Sequence, residues 1–160
     1  MKNSSLTKAI SYKDFKKEVL DDYKTILISR EASLLGRKEV LSGKAKFGIF
    51  GDGKELPQVA MAKVFEKGDF RSGYYRDQTF MFSIDELTVQ QFFAGLYANT
   101  NFDEEPMSGG RQMGSHFSSV FVDEKGKFKD LPNQYNISSD VSPTSGQMPR
   151  LLGLAMASKL

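Results

Sequence analysis

The chain has 160 residues, of which 39% are hydrophobic and 26% are charged; its net charge is +2 and it contains no cysteine. The lack of cysteine excludes disulfides, thiolate nucleophiles and thiolate metal sites, and it fits a reducing compartment. No apolar run approaches the roughly 20 residues of a membrane-spanning helix, and the N-terminal segment lacks the apolar stretch of a signal peptide. We therefore expect a cytoplasmic protein with no membrane-spanning helix.

Positive charge is modestly concentrated at the start of the chain. Residues 1–44 contain ten Lys/Arg and six Asp/Glu, whereas the remainder contains twelve and fourteen. A nucleic-acid-binding module normally has a clustered basic face with aromatic platforms, but here acids are interspersed among the bases. This small excess of positive charge is the single feature that supports a basic nucleic-acid-binding tail. We therefore expect no nucleic-acid partner.

A long helical pattern begins near residue 11. Ser11 and Asp14 resemble a capping box, and apolar residues then recur every three or four positions, which predicts an amphipathic helix to about Leu35. Gly36 predicts a break, and a second short helix is expected over residues 37–41.

Three further segments follow. The sequence GDGKELP predicts a turn into a helix over residues 58–66, because glycine permits positive φ and Pro57 suits a first helical turn. The sequence SGYYRD at 72–77 indicates a strand end or loop. The sequence DELTVQQFFAGLYAN at 85–99 predicts a helix with one apolar face.

The character of the chain changes from Asn99 to about Ser145, where Gly, Ser and Asn are frequent and DEKGKFKD at 123–130 predicts a hairpin. A stretch of this length with little regular pattern is typical of binding loops. A helix resumes at Gln147 with apolar side chains nearly all round, which predicts a buried helix. Since that pattern is unfinished at Leu160, we expect the natural sequence to continue.

Arg76, with Tyr74 and Tyr75 beside it, is a candidate anion-binding group. A guanidinium offers a planar fork of donors to a phosphate or carboxylate, and one charge-assisted hydrogen bond contributes roughly 1.5–3 kcal/mol. The alternative is that Arg76 pairs with Asp77 or another acid while the tyrosines pack. Taken alone, these residues favour the alternative.

His116 is the single histidine and lies in GGRQMGSHF. A histidine can give or take a proton near neutral pH, although a lone loop histidine is more often a structural hydrogen-bonding group. No pattern matches a nucleophile elbow, and the glycines of GDG at 51–53 lack a phosphate-loop pattern, which favours a plain turn. The acidic run 103–105 is expected to be a solvated loop face.

In this order, GDGKELPQVAMAKVFEKGDF, YYRD, a helix, GGRQMGSHF and NISSDVSPTSGQMPRLLGLAMASK resemble the alpha chain of thiamine diphosphate-dependent 2-oxo acid dehydrogenases. That chain belongs to the decarboxylating first component of these multienzyme complexes. GRQM followed closely by a histidine is nearer to the branched-chain type than to the pyruvate type. The resemblance runs from about Tyr23 to Leu160.

The resemblance implies an α/β fold, namely the truncated first half of a thiamine diphosphate-binding, transketolase-like parallel-sheet domain. Residues 1–44 would form an N-terminal helical extension and residues 45–160 the partial cofactor-binding domain. The residues alone support only mixed helices with few strands.

The resemblance also implies roles for individual residues. His116 would be the catalytic residue that faces the thiazolium ring and the substrate. The residues that would bind the cofactor are Tyr75 and Arg76 at the diphosphate, Tyr74 beside them, and Ser142 and Thr144 at the central part.

Some family features are altered or absent. Thr144 replaces the usual aliphatic residue. Gln147 matches a residue that helps hold a monovalent cation in branched-chain relatives, but its companion positions are Val141 and Gly146, which lack hydroxyls. No metal ligand is expected within the chain, because the magnesium loop would lie beyond Leu160. The activating glutamate belongs to a beta chain or beta domain, so the fragment is not expected to be a complete enzyme.

The implied activity is oxidative decarboxylation of a 2-oxo acid of the branched-chain kind, with acyl transfer to lipoyl. His116 would either position the substrate carboxylate or protonate the lipoyl sulfur. The implied partners are a beta chain or domain and a lipoyl-bearing acyltransferase component, in a heterotetramer or a fused homodimer. The alternative is a noncatalytic binding or assembly module that retains the fold.

Overall fold

The computed structural model describes residues 10–159. Its regular elements, in chain order, are α1 (Tyr12–Leu41), α2 (Glu55–Ala62), β1 (Phe70–Tyr74), α3 (Gln78–Ser83), α4 (Val89–Leu96), a 3₁₀ turn (Leu131–Asn133), β2 (Asn136–Val141) and α5 (Gln147–Ala157).

Helix α1 starts where the sequence predicts and continues further. The hydroxyl oxygen of Ser11 accepts a hydrogen bond from the backbone N–H of Asp14 at 3.1 Å, which confirms the predicted start. The predicted break at Gly36 is wrong, since the helix runs unbroken to Leu41. Gly36 serves close packing, because a Cβ atom there would collide with the ring of Phe50.

The GDG sequence forms the predicted turn, with Gly53 at φ +88° and the Lys54 N–H bonded to the Gly51 carbonyl at 3.1 Å. Helix α2 begins three residues earlier than predicted and ends at Ala62, four residues before the predicted end. Turns with hydrogen bonds between residues three apart follow this helix. They bring Phe65 against Tyr135, with ring centres 5.5 Å apart.

Helix α4 lies within residues 85–99, where the sequence predicts one helix, and helix α3 precedes that region. Helix α3 was not predicted, because its six residues are too short for a period to show and five of them are buried. Helix α4 is shorter than predicted because Asp85 (φ +57°) and Ala98 (φ +54°) are left-handed and end any helix that reaches them. Thr88 and Gln91 form a capping box at its start.

Strands β1 and β2 form a two-stranded parallel sheet. Phe70 pairs with Asn136 and Tyr74 with Val141, with one irregularity between Ser72 and Tyr74. The segment 72–77, predicted as a strand end or loop, contains the end of β1 at Tyr74 and the turn that follows it. Because the strands are parallel, the loops that follow Tyr74 and Val141 leave from the same edge of the sheet. The described residues thus combine helices with a small parallel sheet, compatible with the α/β class.

The core lies between this sheet and the helices, and Phe80, Met81 and Ile137 are almost fully enclosed. Helix α1 packs against α2, α3 and α4 and contributes Ala32 to the core. The boundary at residue 44 stays a prediction.

The loop region also contains the predicted hairpin: Val122 bridges Phe128 in antiparallel fashion around Gly126. Helix α5 begins at the predicted residue, but the predicted burial is wrong for residues 147–157, none of which is buried. Among the described residues, α5 packs chiefly against β1, and Met148 and Leu152 are 65% and 63% exposed. Among residues 10–159, no helix has the length and apolar character that a membrane crossing requires.

Candidate functional site

The tyrosine pair lies where β1 ends. The Tyr74 hydroxyl donates to the Tyr75 hydroxyl at 2.8 Å and lies 3.3 Å from the Thr144 hydroxyl, so it joins the loops after β1 and β2. Hydrogen bonds to Thr144 and Tyr75 lower the pKa of Tyr74. The bond from Tyr74 raises the pKa of Tyr75. The two phenols therefore form one connected polar surface.

Arg76 makes no ion pair with any residue from 10 to 159. Its guanidinium carbon lies 5.5 Å from the ring centre of Tyr75, and its Nε is buried without a hydrogen-bond partner. The alternative pairing with Asp77, which the local sequence favours, is wrong, because Asp77 pairs with Arg71 instead. The guanidinium therefore keeps donors for an anion.

Contacts with Gln58 and Gly51 fix the backbone carbonyl of Arg76. The Gln58 side-chain amide donates to the Arg76 carbonyl at 3.0 Å. Gly51 approaches the same carbonyl so closely that any side chain at position 51 would collide with it. Arg76 also lines a cleft of about 330 Å³ together with the ion pair of Arg37 and Asp52.

His116 comes from the glycine-rich loop and lies against the tyrosine pair. Its ring stacks on that of Tyr75, with centres 5.9 Å apart and planes at 16°. Its Nε2 is 2.7 Å from the Ser142 hydroxyl, and its Nδ1 is 3.3 Å from the carbonyl of Gly114. His116 is thus held between the loop after β2 and the segment after β1.

The structure therefore gathers every predicted site residue around one edge of the sheet. The contacts form a continuous series through Arg76, Tyr75, Tyr74, Thr144, His116 and Ser142. Ser142 and Thr144 are exposed and the other members are half-buried. Hydroxyl, guanidinium and imidazole groups predominate, which suits an anionic, partly aromatic ligand.

Glu105 shapes the loop that carries His116, and the prediction that it lies on a solvated loop face is wrong. It is 5% exposed and accepts hydrogen bonds from the backbone N–H groups of Met107, Ser108 and Gly110 at 3.1, 2.9 and 2.8 Å. Burial alone would raise the pKa of Glu105, but the bonds from Ser108 and the backbone lower it. Asp103 and Glu104 are exposed as predicted.

A second group that was not predicted is the buried cluster of Arg71, Asp77 and Asp140. Arg71 pairs with Asp77, and its other terminal nitrogen lies 3.5 Å from Asp140. Burial raises the pKa of Asp140 to about 7, against the opposing effect of Arg71. Arg71 and Gly73 share one face of β1, and this i, i+2 pairing of a cation with a glycine was the available signal.

Gln147 begins α5 with its side-chain oxygen buried and without a hydrogen-bond partner, while its carbonyl accepts from the Ser72 hydroxyl at 3.0 Å. Within the part of the chain that the structure describes, no three His, Asp or Glu side chains converge as metal ligands would.

The chain is similar to the alpha subunit of a 2-oxoisovalerate dehydrogenase. It is 30% identical to "2-oxoisovalerate dehydrogenase subunit alpha" of Bacillus subtilis (strain 168) over 148 residues, which is 89% of this chain and 38% of that subunit. The chain thus spans well under half the length of this 2-oxoisovalerate dehydrogenase subunit. No family profile matches the chain.

Proposed function

We propose that the chain forms part of the decarboxylating component of a 2-oxo acid dehydrogenase and that the cluster at the sheet edge binds thiamine diphosphate. One observation carries the proposal: Arg76, free of ion pairs among residues 10–159, joins the two tyrosines and His116 in a single surface. The similarity to a 2-oxoisovalerate dehydrogenase subunit supports the reaction class.

The residues present fit the anionic half of this cofactor. A buried guanidinium nitrogen without a partner costs free energy, roughly 1–3 kcal/mol for an unmade hydrogen bond, which a diphosphate oxygen would offset. Arg76 and Tyr75 would hold the diphosphate, with Tyr74 beside them. Ser142 and Thr144 would contact the central part of the cofactor with their hydroxyls. When bound, the cofactor supplies a carbanion and an electron sink.

His116 is the proposed catalytic residue. Its ring lies flat against Tyr75, and its Nε2 shares a hydrogen with the Ser142 hydroxyl. A proton at Nε2 can therefore be held towards Ser142 or passed to a group that replaces it. In the proposed reaction, this atom either orients the carboxylate of the 2-oxo acid or protonates the lipoyl sulfur after acyl transfer.

The finer assignments also belong to this proposal. The substrate is a branched-chain 2-oxo acid, the domain boundary is at residue 44, and the protein acts in the cytoplasm. Its partners are a beta chain or domain, which supplies the activating glutamate, and a lipoyl-bearing acyltransferase component. Magnesium accompanies the diphosphate.

Calorimetric titration of thiamine diphosphate into the chain assembled with its beta partner tests the proposal. We expect Arg76→Ala to raise the Kd at least about tenfold, the equivalent of one charge-assisted hydrogen bond. Arg111→Ala is the matched control, because its guanidinium also covers an aromatic ring, that of Phe102 at 5.2 Å, outside the cluster. An unchanged Kd in the Arg76 variant would remove the diphosphate role.

A second candidate is a noncatalytic binding or assembly module that retains the fold. Val141 and Gly146 favour it, because neither side chain offers the oxygen ligand that the branched-chain pattern has at those positions. The decarboxylating component would lose turnover when the imidazole of His116 is removed, whereas a noncatalytic module would have no turnover to lose.

A further inference from the structure

The two halves of the proposed site lie on different segments of the chain. Tyr75 follows β1, and His116 lies in the loop before β2, some forty residues later. The stacking of these rings therefore depends on whatever fixes one segment relative to the other. Van der Waals contact between two half-buried rings is weak compared with a buried ionic group.

One buried cluster contacts both segments. The carboxylate of Asp77 accepts the backbone N–H of Tyr74 at 2.9 Å and also pairs with Arg71. On the other side, the Asp140 carboxylate lies 3.4 Å from the backbone N–H of Phe117, the residue after His116. The Asp140 N–H donates to the Phe117 carbonyl at 3.1 Å.

Arg71 is the group that joins these two carboxylates. It is 7% exposed, and its guanidinium lies between Asp77 and Asp140 and over the ring of Phe80 at 4.8 Å. Gly73 provides the space, since any side chain at that position would occupy the volume of the guanidinium. A planar fork can contact two carboxylates at once, whereas an ammonium is a single point charge.

We propose that Arg71, through Asp77 and Asp140, is a positioning residue that sets the distance between Tyr75 and His116. Its guanidinium contacts Asp77, Asp140 and Phe80, so it would act through the backbone on either side. The role in ligand binding rests on the proposed function, but the positioning itself is a property of the ligand-free chain.

His116 gives a direct readout, because it is the single histidine of the 160 residues and its Hε1 proton resonance stands alone. Stacking on Tyr75 moves the chemical shift of this resonance away from its value in an unfolded chain through the ring current. This difference in chemical shift is the displacement. We expect Arg71→Lys to abolish the displacement, measured at one pH at which the imidazole is neutral. Arg30→Lys is the matched control: Arg30 forms a two-bond pair with Glu55 between α1 and α2, so its replacement should leave the displacement intact.

A second variant covers the case in which Arg71→Lys does not fold. Asp77→Asn retains an acceptor for the Tyr74 N–H but removes the charge that holds Arg71. Its control is Glu39→Gln, the same change at a 9% exposed carboxylate that Tyr97 contacts at the end of α1. We expect Asp77→Asn to lose the displacement and Glu39→Gln to keep it. A folded cluster variant that keeps the wild-type Hε1 resonance would overturn the positioning role.

Titration with inorganic pyrophosphate separates this inference from the proposed function. If both hold, the wild-type chain binds pyrophosphate and Arg71→Lys or Asp77→Asn raises the Kd roughly tenfold or more, the equivalent of one charge-assisted hydrogen bond lost from the misplaced site. Absence of wild-type binding would count against the proposed function and leave the resonance result to decide on Arg71. Unchanged affinity in a variant that has lost the displacement would overturn the link to binding.

Discussion

Arg76 and His116 differ in how far the surrounding protein satisfies their hydrogen-bonding groups. The Nε of Arg76 is buried and without a partner, so that nitrogen gains most from a ligand oxygen. His116 already has Ser142 at 2.7 Å, so a ligand there exchanges one hydrogen bond for another and gains little affinity. Affinity should therefore depend on Arg76 and the chemical step on His116.

The residue-scale prediction is that His116→Ala separates turnover from binding. In the assembled protein we expect turnover of a branched-chain 2-oxo acid to fall at least about 100-fold, the usual effect of losing a general acid or base. The Kd for thiamine diphosphate should change by less than it does in Arg76→Ala. Steady-state rates and calorimetry measure the two quantities. A wild-type assembly that binds the cofactor without any turnover would instead favour the noncatalytic module.

At the scale of elements, α1 shows that a glycine in a helical pattern can lie inside a helix and not at its end. Glycine within a helical pattern usually indicates an end, yet Gly36 lies inside a 30-residue helix because Phe50 occupies the space of its missing side chain. That contact is long-range and leaves no mark on the local pattern. Gly153 lies in α5 with no other heavy atom within 4 Å of its Cβ position, so it has no comparable packing reason.

We expect Gly36→Ala and Gly153→Ala to shift stability in opposite directions. Alanine favours a helix over glycine by about 1 kcal/mol, so Gly153→Ala should raise the free energy of unfolding by up to that amount. At position 36, collision with Phe50 should outweigh this gain and lower the free energy of unfolding by about 1–3 kcal/mol. Urea unfolding of both variants gives the comparison. Stabilisation by both alanines would mean that Phe50 moves aside freely.

The same distinction explains what the sequence could and could not predict. The start of α1, the turn at Gly53 and the hairpin at Gly126 depend on neighbours within a few residues, and each was predicted. Helix α3 and the burial of Glu105 depend on contacts made only in the fold, and they were not. Local sequence made Arg76 and His116 separate candidates, but their union in one site came from the resemblance to a family, since they are 40 positions apart and no local pattern joins them.

At the scale of the whole molecule, the buried carboxyl groups make opposite contributions to stability as pH changes. Hydrogen bonds lower the pKa of Glu55, chiefly from Arg30, and of Glu39, chiefly from Tyr97. Each therefore adds stability that is present above its ordinary value of 4.5 and is lost as pH falls. Asp140 behaves in the opposite way, because burial favours its protonated form.

The direction in which Asp140 changes the free energy of unfolding with pH follows from its two pKa values. Its pKa is about 7 in the fold against an ordinary 3.8, so its contribution is fully present below 3.8 and is lost as pH rises through 7. The loss is at most about 4 kcal/mol, because one pKa unit corresponds to about 1.4 kcal/mol. Arg71 and Asp77 face this carboxyl group, and Arg150 acts on it from α5.

We therefore expect the free energy of unfolding to decline from about pH 5 to about pH 7, and we expect Asp140→Asn to remove most of that decline. The amide keeps the shape of the protonated carboxyl and cannot ionise. Urea titrations of both proteins at several pH values, compared as a difference, cancel the contributions of Glu39 and Glu55. Parallel curves for wild type and Asp140→Asn would show that the carboxylate is ionised throughout, with Arg71 offsetting its burial.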